Sequence, residues 1–97
     1  MFQPFMRREV EILNELGLHA RPAAEFVRAV QTFQSEVFIV KGDEKYSGAS
    51  ILEVLTANLD CGARVTLEAI GGDAEKTLEH LAQLLVKFRE EEQRETT

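Results

Sequence analysis

The chain has no tryptophan, one cysteine, two prolines and few basic residues for its acidic ones. Cys61 alone cannot close an internal disulfide, and no CxxC or cysteine/histidine cluster has metal-ligand spacing. The expectation is a domain without a cofactor or resident metal. No apolar run approaches the ~20 residues of a membrane span. The opening MFQPFMRREVEI has a short apolar start but no continuous hydrophobic region or small-residue cleavage site. Eleven Lys and Arg stand against 17 Asp and Glu, giving a formal charge of −6 and a pI of about 4.9. Proteins that neutralise many nucleic-acid phosphates show the opposite balance. These absences describe a reduced, cytoplasmic, water-soluble protein with no nucleic-acid partner and no membrane insertion.

What is present fits one small domain. At 97 residues the chain can bury one modest core, and its 44% hydrophobic and 29% charged content is that of an ordinary globular protein. Arg7–Leu13 alternates, with Val10 and Ile12 on one face and Glu9 and Glu11 on the other, as in a half-buried strand. Ala23, Phe26, Val27, Val30 and Phe33 then recur at steps of three and four, predicting a helix with Pro22 near its front. Val37–Val40 and Glu44–Ser47 flank Gly42-Asp43 as two arms of a hairpin. Ser50 followed by Glu53 has the spacing of a capping box ahead of a short helix carrying Ile51, Leu52, Val54 and Leu55. Arg64–Ile70 alternates again, and Asp73 is placed to cap a last helix with Leu78, Leu81, Ala82, Leu85 and Phe88 on one stripe. Residues 90–97 lack apolar partner positions and read as a frayed tail beyond a core of about 6–89.

The order is β-α-β-β-α-β-α. Half-buried strands and one-sided helices predict a two-layer α/β sandwich with the helices on one face of the sheet. A split-βαβ, ferredoxin-like module has the same order as far as the last helix, and periodicity does not separate the two.

The segment richest in chemistry is Gly17-Leu18-His19-Ala20-Arg21-Pro22-Ala23-Ala24. It sets a histidine at the junction of a glycine-containing loop and a helix start. The first turn of a helix carries unpartnered N–H groups and the positive end of the macrodipole, a ready site for an anion. A neutral imidazole there is a nucleophile, and a phosphoryl group placed on it would meet the backbone N–H groups of Ala20 and Arg21. The Arg21 guanidinium can add a charge-assisted hydrogen bond. Taken singly, a histidine in the place of His19 is most often a partial cap or surface residue, and an arginine in the place of Arg21 more often a solvated side chain. His80 reads as an exposed or boundary helix residue, and Cys61 as a plain structural cysteine.

GLHARPAA resembles the active-site segment of HPr, the histidine-containing phosphocarrier family of the bacterial phosphoenolpyruvate-dependent sugar phosphotransferase system. Ser50–Leu55 is similar to the family's second signature, and the likeness runs in order over roughly residues 8 to 88. The resemblance implies an open-faced β-sandwich of four antiparallel strands with three helices on one face. It implies phosphorylation of His19 at Nδ1 by enzyme I, assistance by Arg21, and onward transfer to a downstream EIIA-type domain, so that the protein is a stoichiometric carrier and not an enzyme. It matches Ser50 to the serine modified by HPr kinase/phosphorylase, although the N-cap position alone also explains a serine there. A docking surface of Leu18, Ala24, Arg28, Ile51, Leu52 and Leu55 is expected, with several of the leucines equally able to fill the core. A monomer is expected.

Departures from the pattern bear on partner choice. Ala49 and Glu53 stand where sugar-system relatives often carry basic residues, and Glu25 adds a negative group. Asn14-Glu15-Leu16-Gly17 is similar to the loop of the nitrogen-related branch, NPr. Two other readings stand beside the carrier: a regulatory module whose phosphorylation state controls docking, and an unrelated split-βαβ domain used for assembly.

Overall fold

A computed structural model describes residues 4–95 of the chain. Its elements are β1 (Phe5–Glu11), α1 (Ala20–Gln31), β2 (Glu36–Lys41), β3 (Glu44–Ser47), α2 (Ile51–Thr56), β4 (Arg64–Ile70) and α3 (Ala74–Glu95). The strands form one sheet in the order β1-β4-β2-β3, with every neighbouring pair antiparallel. Strand β4 thus splits the β1-α1-β2 unit, and β1 lies at an edge. This is the open-faced α+β sandwich, with the three helices packed on one side of the sheet.

Period-2 alternation puts Val37 and Ile39 of β2 and Val65, Leu67 and Ala69 of β4 on the covered face. Against them pack Ala23, Phe26, Val27 and Val30 of α1 and Leu78, Leu81, Leu85 and Phe88 of α3, all buried. Most of each stripe is that read from the sequence, because a period near 3.6 keeps such positions on one side. The exceptions are Phe33, which lies beyond α1 and is half-buried, Ala82, which is half-buried, and Leu84, which joins the buried face of α3. The β2–β3 hairpin turns at Gly42, whose φ of +61° favours glycine.

Other elements differ from the sequence reading. Strand β1 begins earlier than Arg7 and ends at Glu11; it lies at an edge of the sheet among the described residues, and most of it is exposed. Ile12 lies beyond β1 yet is buried, held by backbone bonds from its N–H to the Ala63 carbonyl (2.9 Å) and from the Gly62 N–H to its own carbonyl (2.8 Å). Glu68 projects from the open face, where solvent contact was expected, but is only 7% exposed. Arg7 directly opposite and Lys45 from β3 lie 3.2 and 3.1 Å from its carboxylate oxygens, and their stems cover it.

The expected fraying of residues 90–97 is corrected for 90–95, which continue α3; residues 96–97 lie outside the described residues. Glu, Gln and Arg are good helix formers, and Arg94 in the last turn complements the dipole. Asp73 does precede α3, and its carboxylate accepts the Thr77 hydroxyl of the first helical turn at 3.3 Å while also serving the α1–β2 loop. It accepts hydrogen bonds from the Gln34 and Ser35 N–H groups (both 2.9 Å) and the Ser35 hydroxyl (2.5 Å), tying the α1–β2 loop to the start of α3.

Candidate functional site

The loop between β1 and α1 is braced from three sides before it delivers His19. Asn14 is buried and donates its side-chain N–H to the Gly17 carbonyl at 2.8 Å. Gly17 has a φ of +69°, and a Cβ there would stand 2.5 Å from the Leu59 carbonyl oxygen. Only glycine meets both demands. The next amide, Leu18 N–H, donates to that same Leu59 carbonyl at 2.9 Å. From the third side, the Glu92 carboxylate of α3 accepts the Glu15 N–H at 2.5 Å and the Leu16 N–H at 2.9 Å.

His19 occupies the N-cap position of α1 in an extended conformation (φ −115°, ψ 159°). Its side chain makes no capping hydrogen bond, so the ring is not consumed in satisfying the helix. The side chain is 51% exposed, and Nε2 lies 3.3 Å from Oδ1 of Asp60 in the α2–β4 loop. Ala20 follows with a φ of +44°, a left-handed conformation costing a residue with a Cβ about 1–2 kcal/mol. The N–H groups of Ala20 and Arg21 sit in the first helical turn, ahead of the i→i−4 ladder. Pro22 interrupts no helical bond because its position lacks a partner carbonyl within the helix.

His19, Ala20, Arg21 and Pro22 share an open cleft of about 590 Å³ whose other walls include Leu16, Glu25, Phe88, Glu91 and Glu92. Arg21 is exposed and makes no ion pair among the described residues, which leaves its guanidinium free for an anion. Chemically this is a solvent-facing nitrogen nucleophile beside unpaired backbone donors and a positive charge with no ion-pair partner among the described residues.

The remaining expected site residues divide. Ser50 caps α2, its hydroxyl accepting the Glu53 N–H at 3.3 Å. The capping box is not reciprocal, because the Glu53 carboxylate accepts the Ser47 N–H at 2.9 Å instead of the Ser50 amide. Ile51 and Leu55 are exposed and Leu52 is 74% exposed, since the six-residue α2 turns only Val54 inward. Arg28 is exposed and Ala24 half-buried. Leu18 must be withdrawn from the docking surface: it is 1% exposed and fills the core beside Phe26 and Leu59. Cys61 is exposed, and His80 is exposed with its ring 5.3 Å from that of Phe33.

Sequence reasoning missed two groups at this site. Asp60 lies in the α2–β4 loop, to which no sequence pattern assigns a role, and Glu92 lies in the stretch expected to fray. Neither has a local signal, since the contacts span 41 and 76 to 77 positions.

Comparison with known proteins places this geometry. The profile of the family described as the PTS HPr component phosphorylation site matches residues 6–87. The chain belongs to the HPr family. Among HPr relatives, the phosphocarrier protein HPr of Haemophilus influenzae is 37% identical over 78 residues, covering 80% of this chain and 92% of that one. The phosphocarrier protein NPr of Shewanella violacea is 38% identical over 86 residues, covering 88% and 94%. The crystal structure of an HPr from Bacillus anthracis superposes with a TM-score of 0.80 at 32% identity, covering 82% of this chain and 95% of that one. The HPr fold and the phosphocarrier class expected from GLHARPAA are those of these relatives. No helix among the described residues is long and apolar enough to cross a membrane.

Proposed function

We propose that this protein is a cytoplasmic phosphoryl carrier that takes a phosphoryl group from phospho-enzyme I on His19 and hands it to a downstream EIIA-type domain. The observation that carries the reading is an exposed imidazole at the N-cap of α1, not engaged in capping, in one cleft with an unpaired Arg21. In the transfer, Nδ1 attacks phosphorus while the donor's bond to phosphorus breaks and the donor atom keeps the electron pair. The Ala20 and Arg21 N–H groups and the Arg21 guanidinium receive the phosphoryl oxygens. The same groups then release the phosphoryl group to the next nucleophile, so the carrier is regenerated and is not an enzyme. One copy supplies every group named, so a monomer suffices.

The test is incubation with enzyme I and phosphoenolpyruvate. The wild type gains an acid-labile, alkali-stable phosphoryl adduct and His19→Ala gains none. No adduct on the wild type across several enzyme I proteins, or an undiminished adduct on His19→Ala, contradicts the reading.

A second reading, a regulatory module whose docking follows its phosphorylation state, is favoured by the near-equal similarity to an NPr and an HPr. In that version HPr kinase/phosphorylase acts on Ser50. The Glu53 carboxylate, held at the same helix start, opposes a phosphate there. Pull-downs with unmodified, His-phosphorylated and Ser-phosphorylated protein separate the readings, because equal binding in all three states removes the switch.

A further inference from the structure

We propose that Asp60 is a positioning residue that selects the His19 tautomer with the hydrogen on Nε2 and the lone pair on Nδ1. The inference rests on the carrier reading and adds to it the group that chooses between the two ring nitrogens. The Asp60 Oδ1 lies 3.3 Å from His19 Nε2, and an ionised carboxylate only accepts hydrogen bonds. Nε2 must then be the donor, and in a neutral imidazole the other nitrogen is left as acceptor and nucleophile. The contact bridges two elements far apart in sequence, the N-cap of α1 and the loop that leaves α2. Both ends of the bridge are anchored. The Leu59 carbonyl immediately before Asp60 receives the Leu18 N–H immediately before His19, and the Asp60 N–H donates to the Asn58 carbonyl at 2.9 Å. Backbone bonds therefore hold the two residues next to each other.

Four charged groups line the cleft beside His19, and Asp60 is not one of them: Arg21 and Glu25 from α1, and Glu91 and Glu92 from α3. Glu92 is committed to the Glu15 and Leu16 amides. Asp60 is the carboxylate within hydrogen-bonding distance of the imidazole among the described residues.

The consequence for transfer follows from the charge. As the N–P bond forms at Nδ1 and the donor's bond to phosphorus breaks, the ring keeps its Nε2 hydrogen and becomes cationic. Its hydrogen bond to Asp60 is then between opposite charges and strengthens. When the phosphoryl group leaves, the N–P electron pair returns to Nδ1 and the ring is again neutral in the same tautomer.

The test uses the full chain. Long-range proton–nitrogen correlation of the His19 ring, at a pH where it is neutral, reports the tautomer ratio directly. Single-turnover phosphorylation at saturating phospho-enzyme I reports the rate. Both groups are exposed, so Asp60→Ala should lower the Nε2–H to Nδ1–H ratio about two- to fivefold. The rate falls by a similar factor, Asp60→Glu restores part of both, and Asp43→Ala in the hairpin turn, a control for lost charge, changes neither. An unchanged tautomer ratio in Asp60→Ala overturns the assignment, as does a shifted ratio with an unchanged rate. A wild-type protein that accepts no phosphoryl group fails the carrier reading itself. That failure is distinguishable, because the tautomer measurement needs no partner protein.

Discussion

Removing the Glu92 carboxylate is the sharpest test of how α3 supports the site. Glu92→Ala deletes two hydrogen bonds from backbone N–H groups of the loop ahead of His19, at 2.5 and 2.9 Å. A hydrogen bond to a charged acceptor contributes about 1.5–3 kcal/mol when shielded. This carboxylate is only partly buried, which reduces the pair to about 1–2 kcal/mol in total. For a domain of this size that is a drop in Tm of roughly 5–15 °C. The loss should be concentrated in the loop, with amide exchange at Glu15 and Leu16 accelerating by about 5- to 30-fold. Glu90→Ala, one exposed residue of the same helix end, should stay within about 0.5 kcal/mol of the wild type. Thermal melts, urea titrations and hydrogen exchange on the three proteins decide the matter. Unchanged protection at Glu15 and Leu16 in Glu92→Ala would refute the bracing argument, whatever the Tm.

Two further expectations concern stability. Ser50→Ala removes the cap of α2, and because the bond is long at 3.3 Å the cost should be about 0.5–1 kcal/mol by urea denaturation; no measurable loss would mean that the hydroxyl caps nothing. The Asp73 carboxyl is held below its ordinary value, first by the Ser35 hydroxyl and then by the Gln34 amide, so its contribution is present above the unfolded value and lost as pH falls through the folded one. The stability gap between the wild type and Asp73→Asn should therefore be widest near neutrality and close below about pH 4; a gap that stays constant from neutrality to acid would contradict that linkage.

Much of this molecule can be read from residue order, and the boundary of what can be read is physical. Most of the α1 and α3 stripes, the covered face of β4 and the turn at Gly42-Asp43 are local patterns that match the structure. His19 at the front of a helix, Arg21 beside it and Gly17 behind it lie within five residues, so their cluster was also visible. Contacts made by the fold were not. Whether Leu18 faces solvent or core depends on where Leu59 lies, 41 positions on. Glu68 reads as a solvent-facing alternate, and only sheet order brings Arg7 and Lys45 over it. Residues 90–95 lack an apolar stripe, yet a single carboxylate among them reaches the β1–α1 loop. Asp60 follows the same rule, since no periodicity links a loop acid to a distant imidazole. The α2 helix shows a choice that sequence leaves open: its apolar residues could dock a partner or fill the core, and six residues turn only Val54 inward, leaving Ile51, Leu52 and Leu55 exposed.

If a single nitrogen carries the phosphoryl group, spectroscopy of the phosphorylated chain locates it. Phosphorylate the isotope-labelled wild-type chain with enzyme I and phosphoenolpyruvate, and record phosphorus and long-range proton–nitrogen spectra. One phosphoryl signal is expected, coupled to Nδ1 of His19, with the hydrogen retained on Nε2. A phosphoryl group found on Nε2, on His80 or on a hydroxyl oxygen would contradict it.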